Sequence, residues 1–421
     1  MYIWLDRLCL MQTSRDDKAW QIARMHNVYR LCEICIILPG GIQRLVGLDE
    51  ETAWIHRAWT LQEVLLPKQA VVLYAWKLGS GSWEYPSPTE CVVTEVIPEQ
   101  SAVSPVVDVL EASIGSLCYG RFARGDDLWT RWPAIFRSTV SKGESTARAG
   151  LAQVISLLAS LDLVDDDARE QAVWRCALMR TSSRPVDMVF SIMGLFGVEL
   201  DARAFGKDDR LGATIALAQR ILKKGGTSSW LAVSFYLAPC KQLSSFPEFP
   251  RTSVEGCAYV ETDRGVREVA ALVGGEYDVG WSLEGVPTGR MDDRGYLKLN
   301  AKAAPIVPTG QRQEGFKGGI DNMWAGKALV DIDGAVWRVV GESEESSLGP
   351  RRFAVFIGTQ EAFPLRSQSR WHAGWGVRAI LVEEHAPGRF HRTSCFMLGD
   401  VFNAVVDGWK THAIAIGGPE D

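Results

Sequence analysis

Three observations predict an α/β N-terminal unit built on a parallel sheet, a helical middle region and a β-rich C-terminal domain. Residues 1–78 alternate short apolar runs with helical patterns, helical periodicity dominates from about 106 to 225, and beyond about 250 short β-branched or aromatic runs are divided by turn residues. With 421 residues the chain has room for more than one core, and 47% hydrophobic against 23% charged residues is the balance of a folded globular protein.

Tyr2–Leu5 reads as a first strand. Asp16 and Asp17 stand where a helix carries its first-turn acids, ahead of Ile22, Met25, Tyr29 and Cys32 at near-helical spacing. Ile34–Leu38 reads as a second strand stopped by Pro39, Gly40 and Gly41; residues 51–66 read as an amphipathic helix and Ala70–Tyr74 as a third strand. Right-handed crossovers then require the strands at 2–5, 34–38 and 70–74 to run parallel in one sheet. Residues 79–105, rich in Gly, Ser and Pro, read as a loop or linker, which sets the expected units at 1–78, 106–230 and 250–421. In the middle, Leu151, Val154, Leu157, Leu158 and Leu161 form one helical stripe; Ile215, Leu217, Ile221 and Leu222 belong to another, closed by Gly225 and Gly226. Ser182 or Ser183 with Pro185 suggests a further helix start, with Asp187 in its first turn. Asp333–Gly334 predicts a hairpin turn between Ala328–Ile332 and Ala335–Val340.

Forty-five basic residues against 51 acidic ones leave a charge of −6, without the global positive field that nucleic acid or an anionic membrane would need. Nine cysteines, an odd number set mostly in apolar segments, suit free thiols in a reducing, cytoplasmic setting. Asp6 and Arg7 interrupt the apolar N-terminal stretch, and no run of ~18 uncharged apolar residues follows, so neither a signal peptide nor a membrane span is expected.

On the 51–66 helix, a count of about 100° per residue puts Trp54, Ala58, Leu61 and Leu65 toward the sheet and Glu63 opposite them, with His56 and Trp59 near Glu63. That face is either a solvated polar surface or, given the Trp59 ring, one that a ligand or partner covers. Open parallel sheets bind ligands beyond their carboxyl strand ends, here Asp6–Arg7 and Pro39–Gly40–Gly41. The two glycines fit either a backbone approach to phosphate or a plain turn. Cys32 and Cys35 read as buried thiols, Cys9 and His26 lack the local signature of a nucleophile–base pair, and His385 and His391 read as loop histidines; no metal is expected.

Four segments resemble the fungal heterokaryon-incompatibility (HET) domain: IWLDRLCLMQ (3–12), DKAWQIARMHNVYRLC (17–32), RAWTLQE (57–63) and RTSSRPVDMVFSIMGL (180–195). The resemblance spans about residues 1–225 and implies self/non-self recognition in filamentous fungi, with cell death when incompatible hyphae fuse. The HET domain in turn is similar to the Toll/interleukin-1 receptor (TIR) domain, a flavodoxin-like parallel sheet of which some members cleave NAD to nicotinamide and ADP-ribose forms. By that resemblance Glu63, four residues after Trp59, stands at the catalytic position, with Asp6, Arg7, Gly40, Gly41 and Trp59 lining the substrate. NAD is then a substrate, no cofactor is bound, and the partners are further copies or other incompatibility proteins. HET domains usually begin with a further strand, so the expected sheet is TIR-like but lacks its first strand. The alternative is a recognition or assembly module without catalysis.

Overall fold

The computed structural model describes residues 2–10, 13–84, 90–114, 118–124, 129–131, 133–136, 144–162, 165–252, 256–263, 265–273, 281–313, 329–341, 349–362 and 376–419. A four-residue helix, α1 (Asp6–Cys9), precedes α2 (Arg15–Leu31). Ser14 caps α2 by accepting the Asp17 N–H, and Asp16 and Asp17 lie at the positive end of its dipole. Among the described residues, 2–5 pair with no strand, contrary to expectation; Trp4 instead meets Tyr29 of α2 edge-on, with ring centroids 5.7 Å apart.

The expected helix at 51–66 is two pieces. Trp54–His56 form a 3-10 turn, Arg57 is extended (φ −78°, ψ 132°), and α3 covers Thr60–Leu65. This break cancels the continuous helical count that grouped His56 with Glu63.

Strands β1 (Cys35–Ile37) and β2 (Ala70–Ala75) do run parallel, with Cys35 opposite Ala70. The rest of their sheet corrects the all-parallel expectation. The segment expected as a linker holds β3 (Gly81–Glu84), β4 (Glu90–Ile97) and β5 (Ser101–Pro105), and β5 pairs antiparallel with β2. Glycine, serine and proline crowd only its first ten residues, whereas from Glu90 on burial alternates, Cys91 and Val93 inward, Glu90 and Val92 outward. After α4 (Val106–Ile114), in a region expected to be helical, β6 (Cys118–Phe122) and β7 (Trp129–Arg131) complete a mixed sheet ordered β1-β2-β5-β4-β3-β6-β7.

Helices α5 (Glu144–Asp162), α6 (Asp166–Leu178), α7 (Asp187–Met193) and α8 (Arg210–Lys223) follow. Asp165 and Asp209 cap α6 and α8, and Gly225, at φ +97°, turns the chain after α8 where a side chain would be strained.

The C-terminal part is β-rich, as expected. Two hairpins, β8 (Pro239–Cys240) with β9 (Leu243–Pro247) and β10 (Tyr259–Thr262) with β11 (Gly265–Glu268), precede α9 (Val269–Val273). A nine-stranded sheet comprises β12 (Trp281–Glu284), β13 (Gly289–Met291), β14 (Tyr296–Arg312), β15 (Leu329–Val330), β16 (Ala335–Val339), β17 (Arg352–Ala362), β18 (Gly376–Ala386), β19 (Arg389–Gly399) and β20 (Lys410–Gly417). A short α10 (Asn403–Asp407) links β19 to β20. The pairings β14–β17–β18–β19–β20–β14 close a ring, antiparallel except for β19–β20. Asp333–Gly334 does sit in the β15–β16 hairpin turn: Gly334 has φ +82° and its N–H donates to Asp331 O, while the Asp331 carboxylate accepts the Asp333 and Ala335 N–H groups.

One hydrophobic core joins the helices to both large sheets. Trp174 of α6 meets Trp230 edge-on, and Trp230 stacks on Phe246 of β9 at 4.9 Å. No helix among the described residues is long and apolar enough to cross a membrane.

The buried Gln171 of α6 ties the helices to β12, its amide donating to Leu283 O and accepting the Leu283 N–H. Gln171→Leu strands both backbone groups in the core, so urea unfolding should show a loss of about 2–4 kcal/mol; a loss within 0.5 kcal/mol, the usual range for surface changes, would contradict this role.

Candidate functional site

The extended Arg57 leaves backbone groups around the α3 entry without helical partners, and the chain after α6 supplies them. Arg180, 2% exposed, donates from Nη1 to Arg57 O at 3.0 Å and to Thr60 Oγ1 at 2.8 Å. Its Cζ lies 6.0 Å from the Trp54 ring centre. Burial lowers its pKa to about 10, so it stays a cation at neutral pH. Next to it, the Thr181 N–H donates to His56 O at 2.6 Å and the Ala58 N–H donates to Thr181 O at 2.9 Å, a single parallel bridge. Farther along, Gln62 Nε2 donates to Ser191 O of α7 and Trp59 Nε1 to Asp187 Oδ2 at 3.5 Å. Helix α2 closes the assembly: a Cβ on Gly194 would collide with the His26 side chain. Segments 17–32, 57–63 and 180–195 therefore meet in one place.

Glu63 is half-buried beside this assembly, its Oε2 accepting the Trp54 indole N–H at 2.9 Å. Burial pushes its carboxyl pKa up, and the Asp6 carboxylate adds to that; the Trp54 hydrogen bond and the Arg57 and Arg180 cations oppose it without reversing it. Burial, with the Glu63 charge second, also raises the Tyr29 hydroxyl, and in the same way raises the Cys35 thiol to about 12. Asp6, Tyr29, Cys35, Arg57 and Arg180 thus share one electrostatic neighbourhood with Glu63. A carboxyl held there can exchange a proton or, when ionised, offset positive charge developing on a ligand.

The other expected site residues lie as follows. Trp59 is half-buried against the core and bonded to Asp187, not an open indole. Gly41, at φ +75°, donates its N–H to Leu38 O, and a Cβ on Gly40 would lie 2.5 Å from Val46 Cγ1, so the pair builds a turn against the Arg44–Val46 loop. Arg7 lies in α1, but its side chain is outside the described residues. His56 does not share the Glu63 face: it is buried, with Nδ1 3.1 Å from Gln153 Nε2 and Nε2 3.8 Å from Cys257 Sγ. The Gln153 amide also donates to Met179 O, so Nδ1 is assigned as acceptor and the ring proton placed on Nε2. Arg180, Thr181, Gln62, Gln153 and Cys257 were not expected here; Arg180 and Thr181 open the RTSSRP segment, the one sequence signal that points to them. Among the described residues no group of three or more His, Cys, Asp or Glu is placed to hold a metal ion.

Residues 1–47 match the family model of the heterokaryon incompatibility protein (HET), a stretch that holds α1, α2, β1 and the Gly40–Gly41 turn. No curated protein and no solved structure matches the chain.

Burial, helped by the Arg180 charge, lowers the His56 pKa from 6.5 to about 4. The folded state thus refuses a proton that the unfolded chain takes up, and stability present above pH 6.5 is lost as pH falls toward 4. The loss amounts to roughly 3 kcal/mol. Glu63 and Asp187, whose pKa values burial raises, slope the opposite way, so the comparison is with His56→Gln. Denaturant titrations at pH 7 and 5 should show a steeper loss in the wild type than in His56→Gln; equal losses would contradict the assignment.

Proposed function

We propose that this chain is a heterokaryon-incompatibility-type effector, acting in allorecognition and cell death, that signals by association with a second copy of itself through the surface around β1. One observation carries the reading. Among the described residues β1 is an edge strand of the first sheet, and Ile36 on it, Ile34 just before it, Leu31 at the end of α2, and Tyr2, Ile3 and Leu8 farther upstream are all exposed, Leu31 at 75% and Ile36 at 53%. An open strand edge flanked by apolar side chains is a template for another strand, and proteins that stay monomeric normally protect it with charge or a cover. The HET family match covers this same stretch. Light scattering across a range of concentrations should show oligomers, and Ile36→Lys should shift them to monomer; a wild-type chain monomeric throughout would overturn the reading.

A second reading rests on Glu63: TIR-like cleavage of NAD. What supports it is a half-buried carboxyl flanked by Arg57 and Asp6 at the position that resembles the catalytic TIR glutamate. Its ionised carboxylate would offset the charge that develops on the ribose as the glycosidic C–N bond breaks and nicotinamide leaves with the electron pair. Water then adds to the ribose and loses a proton, giving ADP-ribose. Glu63→Gln should cut nicotinamide release about 100-fold or more with the fold intact. Because burial raises the Glu63 pKa, release should fall as pH falls. No release by the wild type would remove this reading and leave association standing.

A further inference from the structure

On the second large sheet, strand register builds a basic row on the side away from the core. Arg290 of β13 stands opposite Lys298 of β14, Lys298 opposite Ala415 of β20, and Ala415 beside Arg389 of β19. Paired residues project to the same face, while Leu297, Leu299, Ile414 and Ile416 fill the core from the other. Ala413, Ala415 and Gly388 leave space above the strands, and a groove of about 650 Å³ runs there. That volume lies within the ~300–1,000 Å³ of small-molecule sites.

The row is unfavourable as it stands, because like charges directly opposite each other in an antiparallel pair repel. Lys298 is partly relieved by Asp292 Oδ2 at 3.0 Å; Arg290 has no hydrogen bond or ion pair among the described residues. None of the residues lining the groove is acidic, and Thr288 and Asn300 add hydrogen-bond donors to the two cations. Asp292 at one end, and the Lys302–Asp407 ion pair at the other, limit the cationic strip to the size of one or two phosphate groups. That is too short a track for a nucleic-acid backbone.

We propose that this groove binds a small phosphate-bearing molecule, its phosphate seated between Arg290 and Lys298. The anion turns a repulsive pair into two attractive ones, and the Arg290 guanidinium presents a fork suited to two phosphate oxygens. The small floor residues leave room for the remainder of the ligand. This site is independent of Glu63 and of the β1 edge.

The full chain titrated calorimetrically with inorganic pyrophosphate should show saturable binding that weakens with added salt. Arg290→Ala should weaken it about tenfold or more. Arg290→Glu, which places an acid opposite Lys298, should raise the thermal midpoint of the ligand-free chain and abolish stabilisation by pyrophosphate. No binding at millimolar pyrophosphate, undiminished binding by Arg290→Ala, or an Arg290→Glu chain that pyrophosphate stabilises as well as the wild type would each overturn the proposal.

Discussion

The buried guanidinium of Arg180 is the constraint on which the N-terminal half depends. Arg57 cannot be helical and still offer its carbonyl and its neighbours' backbone to the chain that follows α6; it is extended, and Arg180 and Thr181 satisfy the groups thereby exposed. A buried cation is expensive unless its protons find partners. Here they find Arg57 O, Thr60 Oγ1 and the face of Trp54. The bridge at Thr181 and the Gln62–Ser191 bond then fix α3 against α7.

The surroundings of Glu63 inherit their geometry from this clamp. The Trp54 ring that Arg180 faces also donates its N–H to Glu63, so the cation, the indole and the carboxylate form one chain of contacts. The acid lies inside this network, and the apolar edge of β1 lies outside it. The two proposed readings, chemistry at Glu63 and association at β1, therefore draw on different faces of the same unit, and a change at one need not disturb the other.

Much of the local structure is legible in the residues. Asp16 and Asp17 announce α2, the leucine stripe at 151–161 runs along α5, and Asp333–Gly334 announces its turn, because each depends on neighbours in sequence. What is not legible depends on distant partners. Tyr2–Leu5 has strand-like residues but, among the described residues, no strand beside it, and β2 takes its second neighbour from β5, reversing the direction that the strand–helix order implies. His56 shows the same limit at a single side chain: a helical count carried across residue 57 sets it beside Glu63, whereas the break turns it toward Gln153 of α5 and Cys257. Glu63 itself stands out in the sequence by its place opposite the core stripe and four residues after Trp59, but Tyr29, Cys35 and Arg180 come to it only through folding.

The most direct measurement of this arrangement is a double-mutant cycle on Arg180 and Thr60, with Arg180→Met, Thr60→Val and the pair compared in equilibrium unfolding. Contact at 2.8 Å in a buried setting predicts a coupling of about 1–3 kcal/mol. Additive losses, with a coupling indistinguishable from zero, would show that the two side chains act separately and that Arg180 does not hold the α3 entry in place.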